Sequence, residues 1–173
     1  MNEVLNCLET RRSVRKYLPK QIAVAELNAI LEAGIYAPTA MGRQSPKIVV
    51  LQKPEDVAEL ERMNAAVLGN PDSHPFYGAP TVLVVLADAK AGTAVEDGSL
   101  VLGNLMNAAH ALGVGSCWIH RAREEFASGE GKALLKRWDI DGDWIGVGHC
   151  ILGYAAEPAA PAKPRKADYI VRV

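Results

Sequence analysis

The sequence is poor in cysteine and in net charge. Its three cysteines, Cys7, Cys117 and Cys150, lie far apart and form no Cys-x-x-Cys pair, so neither a disulfide framework nor a zinc ribbon is expected. A net charge of −1 over 173 residues lacks the basic excess that is typical of nucleic-acid-binding domains. We therefore expect a cytoplasmic protein, in a reducing compartment, whose partners do not include nucleic acid.

Long apolar runs and several catalytic motifs are also missing. The longest wholly apolar run, Val82 to Ala87, is too short to span a bilayer, and the first ten residues lack the apolar stretch of an export signal. A Gly-x-Gly-x-x-Gly helix start, a Walker A loop and a Gly-x-Ser-x-Gly elbow are absent. The four histidines do not fall at metal-ligand spacings. We expect no membrane segment, no metal site and no hydrolytic chemistry.

The remaining residues follow helical and strand patterns. Residues 23–36 place Leu27, Ile30 and Leu31 on one helical stripe, and Pro38 closes the segment. Proline-bounded runs rich in valine predict two strands covered on both faces at the centre of a sheet. In full, helices are predicted over 23–36, 55–68, 97–113 and around 123–137, and strands over 47–52, 81–88, 115–120 and 144–154.

The helix predicted over 97–113 is apolar around most of its circumference. Its small or polar positions, Ser99, Gly103, Asn107 and His110, form a single narrow stripe. One layer of a monomer of this size does not readily bury such a helix on most sides. The pattern therefore predicts a homodimer with this helix at the interface.

The last residues, 155–173, differ in character from the rest. They are rich in proline, carry Lys163, Arg165 and Lys166, and end in a β-type run, which predicts an extended arm that ends in a strand. We find no internal repeat and no linker that divides the chain. Residues 1–173 are therefore expected to form a single domain with this arm attached.

A basic cluster, "RRSVRKY" at 11–17, is the main chemical feature. In an extended segment the alternating residues Arg11, Ser13 and Arg15 point the same way, a geometry suited to the oxygens of a phosphate monoester. The other interpretation of this cluster is a solvated basic turn between two helices.

Several segments, in order and at family spacing, together resemble the FMN-dependent nitroreductases over residues 11–173. They are "RRSVRKY" (11–17), "APTAMGRQSP" (37–46), "FYGAPTVLVVLAD" (76–88), "EDGSLVLGNLMNAAHALGVGSCWIHRA" (96–122), "GVGHCILGY" (146–154) and "PRKADYIVRV" (164–173). The resemblance implies an α+β fold, a three-layer sandwich with a central mixed, largely antiparallel sheet flanked by helices. It also implies an intertwined homodimer with a swapped C-terminal arm and two FMN molecules in the interface.

The resemblance also implies a set of FMN-binding residues. Main-chain N–H groups at the turn of His120 and Arg121 would meet the N5 and O4 edge of the flavin. Arg11, Ser13 and Arg15, with Arg12 close by, would hold the phosphate and ribityl end together with Lys163 and Arg165 of the arm. The partner subunit would contact the ring through Pro38, Thr39, Ala40, Met41 and Gln44.

The implied chemistry belongs to the cofactor. NAD(P)H would give a hydride to FMN as a transient donor, and a small electrophile such as a nitroaromatic or quinone would then accept it, in a ping-pong scheme. No side chain needs to be an acid, a base or a nucleophile, so no catalytic residue is assigned. A cation such as Arg15 would stabilise negative charge near N1 and O2.

Some positions depart from the family pattern. Gly42 stands where the family loop commonly carries asparagine, and Ser45-Pro46 replace its frequent Pro-Trp. His149 also stands where asparagine is frequent, and we interpret it as a sheet histidine paired with backbone. The loop 68–78 offers His74, Phe76 and Tyr77 as pocket residues, or forms an ordinary surface loop.

Three other functions stay open at this point. The same fold and cofactor serve dehalogenation, enone reduction and flavin cleavage, which would differ in pocket residues. A storage or sensor module would bind FMN without turnover. A protein that binds some other phosphate anion would bind no flavin.

Overall fold

The computed structural model describes residues 2–173 and has a four-stranded antiparallel sheet with helices on both faces. The strand order is β1-β2-β4-β3, and the parallel part of the expected mixed sheet is a single bridge between Ser13 and Ser116. The α+β fold predicted from the resemblance is confirmed. The elements are α1 (Glu3–Thr10), α2 (Val24–Ile35), β1 (Pro46–Leu51), α3 (Pro54–Leu68), β2 (Thr81–Asp88), α4 (Ala94–Ala111), β3 (Gly115–Ile119), α5 (Ala122–Ala127), α6 (Gly129–Arg137) and β4 (Trp144–Gly153).

Local sequence signals explain where several helices begin and end. Helix α3 begins at Pro54, where a missing N–H costs nothing, and ends before Gly69, whose φ of 76° suits glycine. The single helix predicted around 123–137 is wrong, because Ser128 interrupts it. Ser128 has an extended conformation, and its hydroxyl accepts the N–H of Gly131 at 3.0 Å, so it caps a new helix, α6.

The two valine-rich strands differ in position. Strand β2 is central and fully buried from Thr81 to Ala87. Strand β1 lies at the edge of the sheet and is only partly buried, so its predicted central position is wrong. An apolar run predicts cover on the faces of a strand, but only the pairing decides whether its edge is open.

Two apolar cores lie on opposite faces of the sheet. Helices α3, α5 and α6 cover one face, with Leu60 and Phe126 fully buried there. Helices α2 and α4 cover the other face, where Leu105 is fully buried against the sheet. The outer side of α4 still exposes apolar surface, including 48% of Leu100. No helix in residues 2–173 is long and apolar enough to cross a membrane.

The arm leaves the sheet at Ala155, which forms an antiparallel bridge with Tyr17. Residues 156–173 form neither helix nor strand, so the predicted terminal strand is absent from this chain. Strands need a neighbour for their backbone hydrogen bonds, and beyond Ala156 the backbone of the arm bonds to no other element of residues 2–173. Its apolar side chains Tyr169, Ile170 and Val171 are exposed.

Candidate functional site

The basic cluster follows α1 and lies beside β3 in an extended conformation. Ser13 forms a parallel bridge with Ser116, and the N–H of Val14 donates to the Ser116 carbonyl at 2.9 Å. The Tyr17 hydroxyl donates to the Val14 carbonyl at 2.7 Å, and burial raises the pKa of that tyrosine. The backbone of the cluster is therefore fixed on the sheet.

Two polar groups of this region are buried without a partner. Nη1 of Arg11 and Oγ of Ser116 are both inaccessible and make no hydrogen bond within residues 2–173. A buried cationic donor without an acceptor is costly and rare. An oxyanion is a suitable partner for each group, because it can accept a charge-assisted bond from a guanidinium and a bond from a hydroxyl.

Arg12 has a different environment from Arg11. Its Nη1 donates to the carbonyls of Glu9 at 2.7 Å and Arg11 at 2.6 Å. It therefore caps the C-terminal end of α1, where a cation also complements the helix dipole. Its assignment to the phosphate stays a prediction.

His110 lies near the same two arginines. Its Nε2 is 2.8 Å from the Thr10 hydroxyl. Burial and the guanidinium groups of Arg11 and Arg12 lower the pKa of His110. The neutral imidazole adds no positive charge to the cluster near neutral pH.

A cavity of about 310 Å³ lies between the cluster and the end of β3. Arginine, histidine and aromatic side chains line it, so it can take a planar anion. Of the loop residues proposed for a pocket, His74 and Tyr77 line this cavity, whereas Phe76 is buried in the core. The lining is Arg15, Leu68, Ser73, His74, Pro75, Tyr77, Cys117, Trp118, Ile119, His120 and Arg121.

The turn of His120 and Arg121 forms one end of the cavity. Arg121 has φ 82° and ψ 1° and precedes α5. Asn64 donates to the His120 carbonyl at 2.8 Å and accepts from Arg121 Nη1 at 3.2 Å. The backbone N–H groups of His120 and Arg121 have no acceptor among the described residues, so they are open to a ligand.

Unusual backbone conformations concentrate around the predicted site. Among residues other than glycine, positive φ occurs at Met41, Gln44, Tyr77 and Arg121, and also at Asp139 outside the site. Each such residue costs on the order of 1–3 kcal/mol and persists where the surroundings enforce it. Such strain is frequent at functional sites, which supports a functional role for these segments.

The predicted ring-contacting loop, 38–44, is fixed by the buried carboxylate of Asp97. Asp97 accepts from the Ala40 N–H and the Ser45 hydroxyl at 3.0 Å each, and from the Thr93 hydroxyl at 3.2 Å. No motif in the sequence marks Asp97 as a site residue; the only available signal is its place in the first turn of α4. Met41 at the tip is 86% exposed.

The loop 38–44 and the basic cluster lie at opposite edges of the sheet. The loop leads into β1 at one edge, whereas Ser13 pairs with β3 at the other. Four interstrand spacings separate β1 from the cluster, about 19 Å at 4.8 Å each. One chain therefore does not bring Pro38, Thr39 and their neighbours to the cluster. Lys163 and Arg165 are exposed on the arm, and no hydrogen bond within residues 2–173 joins their side chains to the basic cluster.

His149 differs from its prediction. Its Nε2 lies 2.5 Å from a carboxylate oxygen of Glu125, and both side chains are fully buried. The predicted pairing with backbone is therefore wrong, because α5 places an acid over β4 and Phe76 packs its ring against the imidazole. The pair ties α5, which begins at the His120 turn, to the sheet.

Two of the three cysteines are buried in the core. Cys117 and Cys150 are core residues, and burial raises the pKa of the Cys150 thiol to about 12. Within residues 2–173 no group of three or more His, Cys, Asp or Glu side chains is arranged to hold a metal ion.

Comparisons with known proteins identify the family. The Nitroreductase family model matches residues 8–154. A Bacteroides fragilis nitroreductase structure with bound FMN is 34% identical, with a TM-score of 0.91 over 100% of both chains. A Desulfitobacterium hafniense nitroreductase structure with bound FMN is 29% identical, with a TM-score of 0.89 over 100% of this chain and 99% of the other.

A third relative is a Methanothermobacter thermautotrophicus protein provisionally named NADH dehydrogenase/NAD(P)H nitroreductase. It is 30% identical over 124 residues, which cover 67% of this chain and 60% of the relative's own length. The family match spans most of the chain, and the fold agrees with it from the first helix to the last strand. The chain therefore belongs to the Nitroreductase family.

Proposed function

We propose that this protein is an FMN-dependent oxidoreductase that uses NAD(P)H to reduce a small electrophile such as a nitroaromatic or a quinone. The observation that carries the proposal is the pair of buried, unpartnered groups, Arg11 Nη1 and Ser116 Oγ. Arg15 of the same basic cluster and Cys117, which follows Ser116, line the cavity. Family membership and the FMN bound in the Bacteroides fragilis structure support it.

The residues present suit FMN. Its phosphate would complete the bonding of Arg11 and Ser116, with Ser13 alongside and Arg15 facing the cavity. The open N–H groups of His120 and Arg121 would donate to the polar edge of the ring. Bound FMN would supply the hydride-transfer chemistry between NAD(P)H and the acceptor.

The chain's own part in the reaction is to bind and to stabilise charge. Arg15 lines the cavity, so its guanidinium is placed to favour added negative charge on the ligand. The constellation calls for no general acid, base or nucleophile. Both reactants would use the same open cavity in turn, which fits a ping-pong scheme.

We also propose that the site is completed by a second copy of the chain. The accessible surface is 10400 Å², whereas a compact monomer of 18.6 kDa exposes about 8,200 Å². The excess fits an arm, 155–173, that lies on a partner and brings its Lys163 and Arg165 to the phosphate. The partner's loop 38–44 would then reach the ring from the opposite sheet edge.

The docking place for the arm is the open edge of β1. An apolar groove of about 340 Å³ runs beside it, between α2 and the strand, and Leu31, Ile48 and Val50 are among its lining. The exposed run Tyr169–Val173 of a partner could supply the strand that the edge lacks. The free cysteines support our proposal of a cytoplasmic location.

An anaerobic titration tests the proposed activity. The purified protein is supplied with FMN, reduced with NADPH or NADH, and followed by its visible spectrum. Flavin bands that bleach and return when a nitroaromatic or quinone is added would support the proposal. Bound flavin that neither cofactor bleaches would instead favour a storage or sensor module, and no flavin uptake would favour another phosphate anion.

A further inference from the structure

Asn64 is a buried amide in an otherwise apolar part of α3. Its side chain is fully buried, and its neighbours Leu60, Met63 and Ala65 on the same helix are buried apolar residues. Burying an amide costs free energy unless all its groups are paired. The other buried residues of this helix are apolar, so its packing against the core does not explain the asparagine.

Both bonds of the Asn64 side chain go to one turn. Nδ2 donates to the His120 carbonyl, and Oδ1 accepts from the Arg121 guanidinium. Arg121 in this turn has a left-handed backbone conformation. That conformation costs an L-residue about 1–2 kcal/mol. Asn64 therefore holds a strained turn whose two N–H groups are open and whose residues line the cavity.

The choice of an amide also affects charge. The Arg121 guanidinium is held by a neutral oxygen, so its positive charge is not cancelled by this contact. A carboxylate at the same place would hold the arginine as well, but would neutralise it. The amide also donates to His120, which an ionised carboxylate does not do.

We propose that Asn64 is a positioning residue that fixes the reduction potential of the bound flavin through the His120–Arg121 turn. This inference rests on the proposed function. Open N–H donors and an uncancelled cation at the ring favour the reduced, more negative form of the cofactor over the oxidised form. Loss of the Asn64 bonds releases the turn and weakens that preference.

The test compares the midpoint potential of bound FMN in three variants with the unmodified protein. Asn64→Leu removes both bonds, Asn64→Asp keeps the acceptor for Arg121 but cancels its charge, and Gln52→Met is the matched control. Gln52 loses one side-chain amide bond, to the Thr81 hydroxyl at 3.1 Å, away from the cavity. Melting temperatures of the FMN-free proteins report the structural cost separately.

Both Asn64 variants should lower the equilibrium constant for flavin reduction about tenfold or more, which is about 30 mV for a two-electron couple. The control should leave it unchanged. The inference would be overturned if the equilibrium constant for flavin reduction in both Asn64 variants lay within twofold of the control value. This holds whatever the melting temperatures of the variants. If Asn64→Leu does not fold, Asn64→Asp decides alone.

Failure of the proposed function looks different. In that case the unmodified protein takes up no FMN, or holds FMN that NAD(P)H does not reduce. If the unmodified protein binds FMN that NAD(P)H reduces, and the Asn64 variants leave its midpoint potential unchanged, only the positioning role of Asn64 is overturned.

Discussion

Replacing Arg11 by methionine should have two opposite effects, one on the protein without FMN and one on FMN binding. Nη1 of Arg11 is buried without an acceptor, and such a group costs about 1–3 kcal/mol. Methionine keeps much of the side-chain volume and removes that cost. The FMN-free protein should therefore become more stable, with a melting temperature higher by about 2–4 °C for each kcal/mol at this chain length.

FMN binding should change in the other direction. A charge-assisted hydrogen bond contributes about 1.5–3 kcal/mol, so its loss should raise the dissociation constant for FMN about 10- to 150-fold. Fluorescence titration of FMN into the FMN-free protein measures the constant, and calorimetry measures the stability. Arg62→Met is a matched control, since Arg62 pairs with Glu130 on the surface of α3.

The two measurements together can refute the reasoning. An Arg11→Met protein that is less stable than Arg62→Met without FMN would mean that Arg11 is bonded structurally. Undiminished FMN affinity in Arg11→Met would mean that the phosphate binds elsewhere.

Three further predictions address the interface, the loop and pH. Leu100→Asp, on the exposed side of α4, should give a folded monomer in light scattering, with weak FMN binding. A persistent dimer would contradict the proposed interface. Leu105→Asp should instead unfold the protomer, because Leu105 is fully buried. Asp97→Ala leaves the Ala40 N–H and two hydroxyl groups without their acceptor and should lower the free energy of unfolding by about 3 kcal/mol, which urea denaturation checks. The pKa of His110 is lower in the folded protein than in the unfolded chain. As the pH falls, the unfolded chain therefore binds this proton first, and stability decreases below the ordinary histidine pKa. His110→Gln should lose less stability on acidification than the unmodified protein, and an identical pH profile would contradict the lowered pKa of His110.

The sequence predicted the elements well where the signal is local. Strand β2 begins and ends at the predicted residues, and Pro54 and Gly69 mark the limits of α3. Alternating or periodic apolar residues report which faces are buried. They do not report pairing, so they do not predict the edge position of β1. The break at Ser128 has a local signal, its capping hydroxyl, which the single predicted helix overlooked.

The candidate site was predictable only in part, because its key contacts join distant residues. The Arg11 cluster could be recognised from its composition, but whether the Arg11 guanidinium has a partner depends on the folded chain around it. Asn64 contacts a turn 56 residues further along the chain, and Glu125 meets His149 across two elements. Nothing in the local sequence marks these pairs.

Comparing the affinities of FMN and riboflavin tests the central claim most directly. The two ligands share the ring and the ribityl chain, and only FMN carries the phosphate that Arg11 and Ser116 would bind. Calorimetric titration of the FMN-free protein should give an affinity for FMN about 100-fold or more above that for riboflavin. Equal affinities, or no binding of either ligand, would contradict the assignment of this site to the phosphate of FMN.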